Sequence, residues 1–275
     1  MEQFTRDGLT FGVTDAGPIG GEVVVLLHGF PQQPSSYDLV LPALHSRGLR
    51  TLVPTQRGYA ASCRPPRRRD HASSETAADV IALLDAAGVT RAHVVGHDWG
   101  GAQAWGVAGG YPNRVASLTV LSTPHPAALL KSFTNSGQAL KSWYMGLFQL
   151  PWLPEQLAGR TLGKTLTDSR LPPPFVAEYV AAMREPGALT GALNWYRGMP
   201  FGAPTGMITV PSTYVWGRYD FALGRAAAEA TQAYVSAPYR FVELAAGHWL
   251  PETEPGAVAA AVLEQIDGPE NGPGD

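Results

Sequence analysis

Asp98 sits in Gly96-His97-Asp98-Trp99-Gly100, with a glycine two residues away on either side. The short apolar run Ala92-His93-Val94-Val95 comes before it, and a stretch of small residues over 101–108 with helical character comes after it. A strand, a sharp Gly-x-Nuc-x-Gly turn and a helix would present the central residue as a nucleophile above a parallel sheet. The glycines meet a steric need, because side chains at those flanks would collide in a strained turn. A carboxylate is a poor choice for attacking an amide. It can displace a leaving group at an sp3 carbon, and the product would be an alkyl ester on Asp98. The competing reading is a Gly-rich turn in which Asp98 merely caps a helix.

Partners for Asp98 follow later in the chain. Asp220 lies just past an apolar run, in Trp216-Gly217-Arg218-Tyr219-Asp220, and His248 lies past another, in Gly247-His248-Trp249. Loops leaving the carboxyl ends of parallel strands are where such sheets build their sites. The order nucleophile, acid, histidine is that of α/β hydrolases. Taken singly, Asp220 could form an Asx turn and His248 could be a satisfied loop histidine. Together they suggest an Asp98–His248–Asp220 triad. His28-Gly29-Phe30-Pro31 ends the first apolar strand, at the turn that supplies one oxyanion-hole N–H in that fold. The backbone N–H groups of Phe30 and Trp99 are therefore assigned to the Asp98 ester carbonyl during its hydrolysis. His97 should point to the other side of the turn and be structural. His45, His71 and His93 have no acid partner in view, and His125 is expected to line the pocket. No Cys or His cluster has metal-ligand spacing, so no metal is expected.

These residues need elements to position them. Apolar runs at 22–27, 51–54, 117–121, 212–216 and 240–244 read as strands, after two short extended N-terminal segments. Helical stretches at 39–46, 73–87, 226–235 and 255–266 alternate with them; Ser73 or Ser74 is expected to cap the second, and Gly88 to end it. This alternation implies an α/β fold with a mostly parallel central sheet and helices on both faces. Between residues 124 and 205 the chain is rich in Pro, Trp and Tyr, with helical pieces at 136–150 and 175–183 and no strong strand. It reads as an inserted helical cap, leaving 1–123 and 206–275 as the core domain. Residues 268–275 read as a frayed tail.

Composition excludes several roles. The 275 residues carry a net charge of −3, which leaves no electrostatic footprint for nucleic acid or an anionic membrane. Arg67-Arg68-Arg69, beside Pro65-Pro66 and Asp70, reads as a solvated loop. A single cysteine, Cys63, cannot form an intramolecular disulfide and suits a reducing compartment. With no apolar leader segment and no stretch of transmembrane length, a soluble cytoplasmic protein is expected. The oligomeric state is left open.

The motifs His28-Gly29-Phe30-Pro31, Gln56-Arg57-Gly58-Tyr59, Gly96-His97-Asp98-Trp99-Gly100 and Gly247-His248-Trp249 resemble those of the α/β-hydrolase-fold epoxide hydrolases over nearly the whole chain. The resemblance implies a small apolar epoxide and water as substrates, and no cofactor. It also implies two cap tyrosines that donate to the epoxide oxygen. Leu193-Asn194-Trp195-Tyr196-Arg197 resembles the segment carrying one, which points to Tyr196. Trp143-Tyr144-Met145-Gly146-Leu147-Phe148-Gln149 resembles the other, which points to Tyr144. Phe30, Trp99, His125, Phe148 and Trp195 are the expected pocket residues; Trp143, Trp152, Leu153, Phe175 and Met199 add to an apolar cap. Haloalkane dehalogenases share the elbow. An alkoxide leaving group is basic and needs an acid, whereas a halide needs N–H donors. Phe30 stands where dehalogenases often carry Asn, which weighs against that alternative. Thr55 departs from the pattern, since Asp commonly precedes Gln-Arg-Gly-Tyr. Other hydrolases of ester, lactone or C–C bonds, or a ligand-binding protein on this fold, complete the alternatives.

Overall fold

The structure, a computed structural model, describes residues 1–268, so the expected tail lies outside the described residues from position 269 onward. Eight strands share one sheet: β1 (Gln3–Arg6), β2 (Leu9–Ala16), β3 (Val23–Leu27), β4 (Arg50–Pro54), β5 (Ala92–His97), β6 (Val115–Leu121), β7 (Ser212–Gly217) and β8 (Tyr239–Leu244). Their order is β1-β2-β4-β3-β5-β6-β7-β8. β2 pairs antiparallel with both neighbours, and every pairing from β4 to β8 is parallel.

Helices α1 (Leu41–Ser46), α2 (Ser73–Ala86) and α3 (Trp99–Gly110) connect the first strands. Six more fill the insertion between β6 and β7: α4 (Pro126–Asn135), α5 (Gln138–Lys141), α6 (Trp143–Leu147), α7 (Leu153–Asp168), α8 (Pro173–Arg184) and α9 (Ala188–Gly198). α10 (Arg225–Ala230), α11 (Leu250–Thr253) and α12 (Pro255–Asp267) follow β7 and β8. Among the described residues, no helix is long and apolar enough to cross a membrane.

The period-2 alternation of a strand explains the two cores. Every β3 residue is buried, but Val23, Val25 and Leu27 face the α2–α3 layer while Val24 and Leu26 face α1 and α12. Burial on both faces is why the run is continuously apolar. Register then sets the site. Leu27 pairs with Gly96, so the turn after β3 lies beside the elbow. Gly217 pairs with Leu244, so the Asp220 and His248 loops leave the sheet side by side.

Two local expectations need correction, and one helix was not expected. Ser73 is the first helical residue of α2; extended Ala72 holds the cap position with no side-chain bond, and Ser73 Oγ instead meets the Ala203 carbonyl at 3.4 Å. Gly88 does end that helix, at φ +67°. The stretch 136–150 is two short helices broken at Ser142. The longest helix of the insertion, α7, escapes sequence reading because only Pro154, Leu162 and Leu166 in it are buried, too thin an apolar stripe to stand out.

Candidate active site

Asp98 adopts φ 51° and ψ −120° between β5 and α3, a conformation that costs a non-glycine residue about 1–3 kcal/mol. The neighbours make it possible. A Cβ on Gly96 would land on the Gly100 carbonyl, and one on Gly100 would land on the Leu27 carbonyl. The strained turn aims the Asp98 carboxylate away from the helix and toward two loops. Oδ1 accepts the Phe30 N–H at 2.8 Å, and Oδ2 lies 3.5 Å from His248 Nε2. The Trp99 N–H makes no hydrogen bond to this carboxylate, so of the two expected oxyanion donors one is engaged here.

His248 is buried and its Nδ1 contacts Asp220 Oδ2 at 2.8 Å. Asp220 Oδ1 is held in turn by the N–H groups of Ala222 (2.8 Å) and Leu223 (2.9 Å), which fixes the carboxylate plane. Burial works against a charged His248, but the carboxylates of Asp220 and Asp98 outweigh it and raise its pKa far above the usual imidazole value. For Asp98, burial works against ionisation, and the His248 cation and the Phe30 N–H reverse that, so its pKa falls. Asp98 is therefore held as an anion. The three residues named from sequence come together in one line, His248 hydrogen-bonded to Asp220 at 2.8 Å and 3.5 Å from Asp98.

Above this floor stands a box of aromatic rings. Tyr196, on α9, meets Trp99 (4.8 Å), Phe148 (4.9 Å), Phe30 (5.7 Å) and Tyr144 (6.0 Å) edge to face. Tyr144, on α6, also packs against Phe148 at 5.6 Å. Burial raises the pKa of both phenols, and the negative charge of Asp98 raises it further. Both hydroxyls therefore stay protonated. Trp195 sits behind Trp99 at 6.0 Å and donates its indole N–H to the Arg57 carbonyl (2.6 Å), which pins α9 to the core.

Some expected residues lie elsewhere. His125 is not part of this box: it caps α4 by accepting the Ala127 N–H, stacks on Tyr234 at 4.8 Å and meets Trp105 at 5.5 Å. A cap entrance looked like a pocket wall in sequence; in space it is a helix start wedged against α3. Trp143, Trp152 and Met199 point outward and are exposed. His97 is structural as expected, buried between Gln32 Oε1 and the His248 carbonyl, 2.8 Å from each.

Sequence reasoning missed several supports. Gln32 Oε1 also accepts the Gly29 N–H (2.7 Å), and its Nε2 donates to Glu252 Oε1 (2.6 Å), so one side-chain amide joins the turn after β3 to α11. Burial pushes the Glu252 carboxyl up to about 7. Tyr59 donates to the Gly29 carbonyl at 2.9 Å, giving the Gln-Arg-Gly-Tyr motif its local purpose. Arg197, buried on α9, grips Glu155 and the carbonyls of Phe148 and Leu150, fastening α6 and α7 to α9. Phe221 packs on the His248 ring at 5.2 Å. A Gln or Arg embedded in a mixed polar stretch carries no periodic signal that would have revealed these roles.

Residues 22–255 match the family model described as the alpha/beta hydrolase fold, and the chain belongs to that family. It is 34% identical to AB hydrolase superfamily protein YfhM of Bacillus subtilis, over 94% of this chain and 95% of that protein. It is 32% identical to Epoxide hydrolase A of Mycobacterium tuberculosis, with 96% of each chain covered. The crystal structure of Epoxide Hydrolase A from Mycobacterium thermoresistibile superposes with a TM-score of 0.83 at 28% identity, over 97% of both chains.

Proposed function

We propose that this chain is an epoxide hydrolase that turns a small apolar epoxide and water into a vicinal diol. The carrying observation is Asp98 lying 3.5 Å from a His248 that Asp220 holds, under the packed rings of Tyr144 and Tyr196; the charge of Asp98 and burial keep both phenols protonated. Residues 124–205 act as the cap that brings those phenols to the core. The similarity to Epoxide hydrolase A of Mycobacterium tuberculosis supports the same reading. The buried, unpaired thiol of Cys63 fits a reducing cytoplasm.

The geometry divides the work between the two Asp98 oxygens. Oδ1 is tethered by the Phe30 N–H, which leaves Oδ2 to attack an epoxide carbon. As the C–O bond of the ring breaks, Tyr144 and Tyr196 donate to the oxygen, and one gives up its proton. The imidazolium of His248 then returns a proton to that phenolate. Once Asp98 is an uncharged ester, one of the two anions that held the His248 proton has gone, so the imidazole becomes a base. It takes a proton from water, water attacks the ester carbon, and Oδ1 becomes the oxyanion. Phe30 N–H stabilises it, joined by Trp99 N–H, which as the first residue of α3 has no partner in its own helix. As the tetrahedral carbon collapses, the departing diol oxygen takes a proton from the imidazolium; the proton left on the Asp98 carboxyl then passes to His248, which restores the carboxylate and the imidazolium.

Intact-protein mass of His248→Gln after mixing with a panel of epoxides and haloalkanes tests this. A gain equal to the whole epoxide, mapped to Asp98, is expected. A gain equal to a haloalkane less hydrogen halide would instead mark a dehalogenase.

A further inference from the structure

One cap side chain reaches the loop that carries the triad acid. Gln138 opens α5 and is buried. Its Oε1 accepts the Gly224 N–H at 2.8 Å. Its Nε2 donates to the Ala222 carbonyl at 2.7 Å and to Ser142 Oγ at 2.8 Å. The amide can sit only one way round, because a backbone N–H requires the oxygen and a backbone carbonyl requires the nitrogen. A Cβ on Gly224 would come within 3.0 Å of that oxygen, so the loop approaches Gln138 closely. Three residues along α5, Lys141 donates to the Asp220 carbonyl at 2.9 Å.

Both ends of this junction matter to the chemistry. The segment that Gln138 grips includes Ala222, whose N–H, with that of Leu223, holds Asp220 Oδ1 and so aims Oδ2 at His248. On the other side, Ser142 stands at the N-terminal cap of α6, two residues before Tyr144. A single amide thus touches the mounting of the acid behind the base and the mounting of a cap phenol.

We propose that Gln138 is a positioning residue that locks the Tyr144 helix to the Asp220 loop, so that the proton donor for ring opening and the acid–base pair for ester hydrolysis are set by one junction. This rests on the epoxide-hydrolase reading of the site. Lys141 is the outer clamp of the same junction. Replacing the amide by an apolar side chain leaves the Gly224 N–H and the Ala222 carbonyl without partners, and the loop must shift to find water.

Single-turnover kinetics on Gln138→Leu should show both ester formation and ester hydrolysis slowed by about 10- to 100-fold, the cost of a displacement near 1 Å in a reacting site. Tyr144→Phe should slow the first step alone, and Asp220→Asn the second. In the resting protein with 15N-labelled histidine, the far-downfield proton on His248 Nδ1, identified by its loss in His248→Gln, should broaden in Gln138→Leu. Lys141→Met, at an exposed position, should produce the same pattern more weakly and serves if Gln138→Leu fails to fold. A lowered Tm with both rates and the proton signal unchanged overturns the proposal, as does slowing of one step alone. If the wild type forms no ester with any epoxide, the epoxide reading falls by itself. The proton signal then still decides the role of Gln138: broadening upholds it and an unchanged signal overturns it.

Discussion

Asp98, Asp220 and His248 stand on turns at the ends of paired strands, whereas Tyr144 and Tyr196 stand on helices that no strand pairing fixes. In the floor, register carries position: the Leu27–Gly96 and Gly217–Leu244 pairings leave the three loops little freedom. In the roof, position comes from rings packed edge to face and from a few polar clamps, chiefly Arg197, Gln138 and the bond from Gln149 Nε2 to the Tyr196 carbonyl (2.6 Å). The contrast suits the two tasks. In the proposed reaction a nucleophile and its base need a fixed geometry, while the donors must admit substrates from outside.

Substitutions that attack the floor should cost most. Asp98→Ala removes the atom that forms the ester, and diol production should fall by about 10⁴-fold or more, with no covalent adduct by mass. A wild-type single turnover in 18O-water should place the label on Asp98 and not in the diol. Label in the first diol would show that water attacks the epoxide directly and would break the assignment of the floor. His248→Gln should lose turnover by about 10³-fold while its ester accumulates.

The roof should yield in smaller steps. Tyr196→Phe or Tyr144→Phe should each slow ring opening by about 10²-fold, and the double variant should lose far more, because either phenol can shield the loss of the other. Arg197→Met strands Glu155 and frees two carbonyls, so thermal unfolding should show a loss of about 3 kcal/mol. If that variant kept full activity, the roof would be held by ring packing alone. The last test is of pH dependence. The carboxylates of Asp220 and Asp98 push the His248 imidazole up to about 10 in the fold, against about 6.5 when unfolded. Its contribution is complete below pH 6.5 and is lost as pH rises toward 10. The Tm of the wild type should therefore fall over that range, and that of His248→Gln should fall less.

How far the sequence could be read follows the same division. The glycines at 96 and 100, the apolar runs before Asp98, Asp220 and His248, and the loop position of each are local features, and the structure assembles them as expected. His125 shows the opposite case. Its neighbours in sequence suggested a pocket, but its ring is claimed by Trp105 and Tyr234, which come from distant elements. Ser73 likewise had the right residue type for a cap, but its hydroxyl is drawn toward Ala203, 130 positions away.

The sequence by itself determined the strained turn at Asp98, the chain order of Asp98, Asp220 and His248 and the parallel sheet that supports them, because turn sterics and strand burial are written within a few consecutive residues. Only the tertiary structure decided which cap rings close over Asp98, that Gln32 joins the oxyanion turn to Glu252, and that Gln138 reaches the Asp220 loop. Those outcomes depend on which partners a flexible polar or aromatic side chain meets once the helices have packed. No local pattern specifies that meeting, since the same Gln or Tyr on an unpacked helix would simply face water.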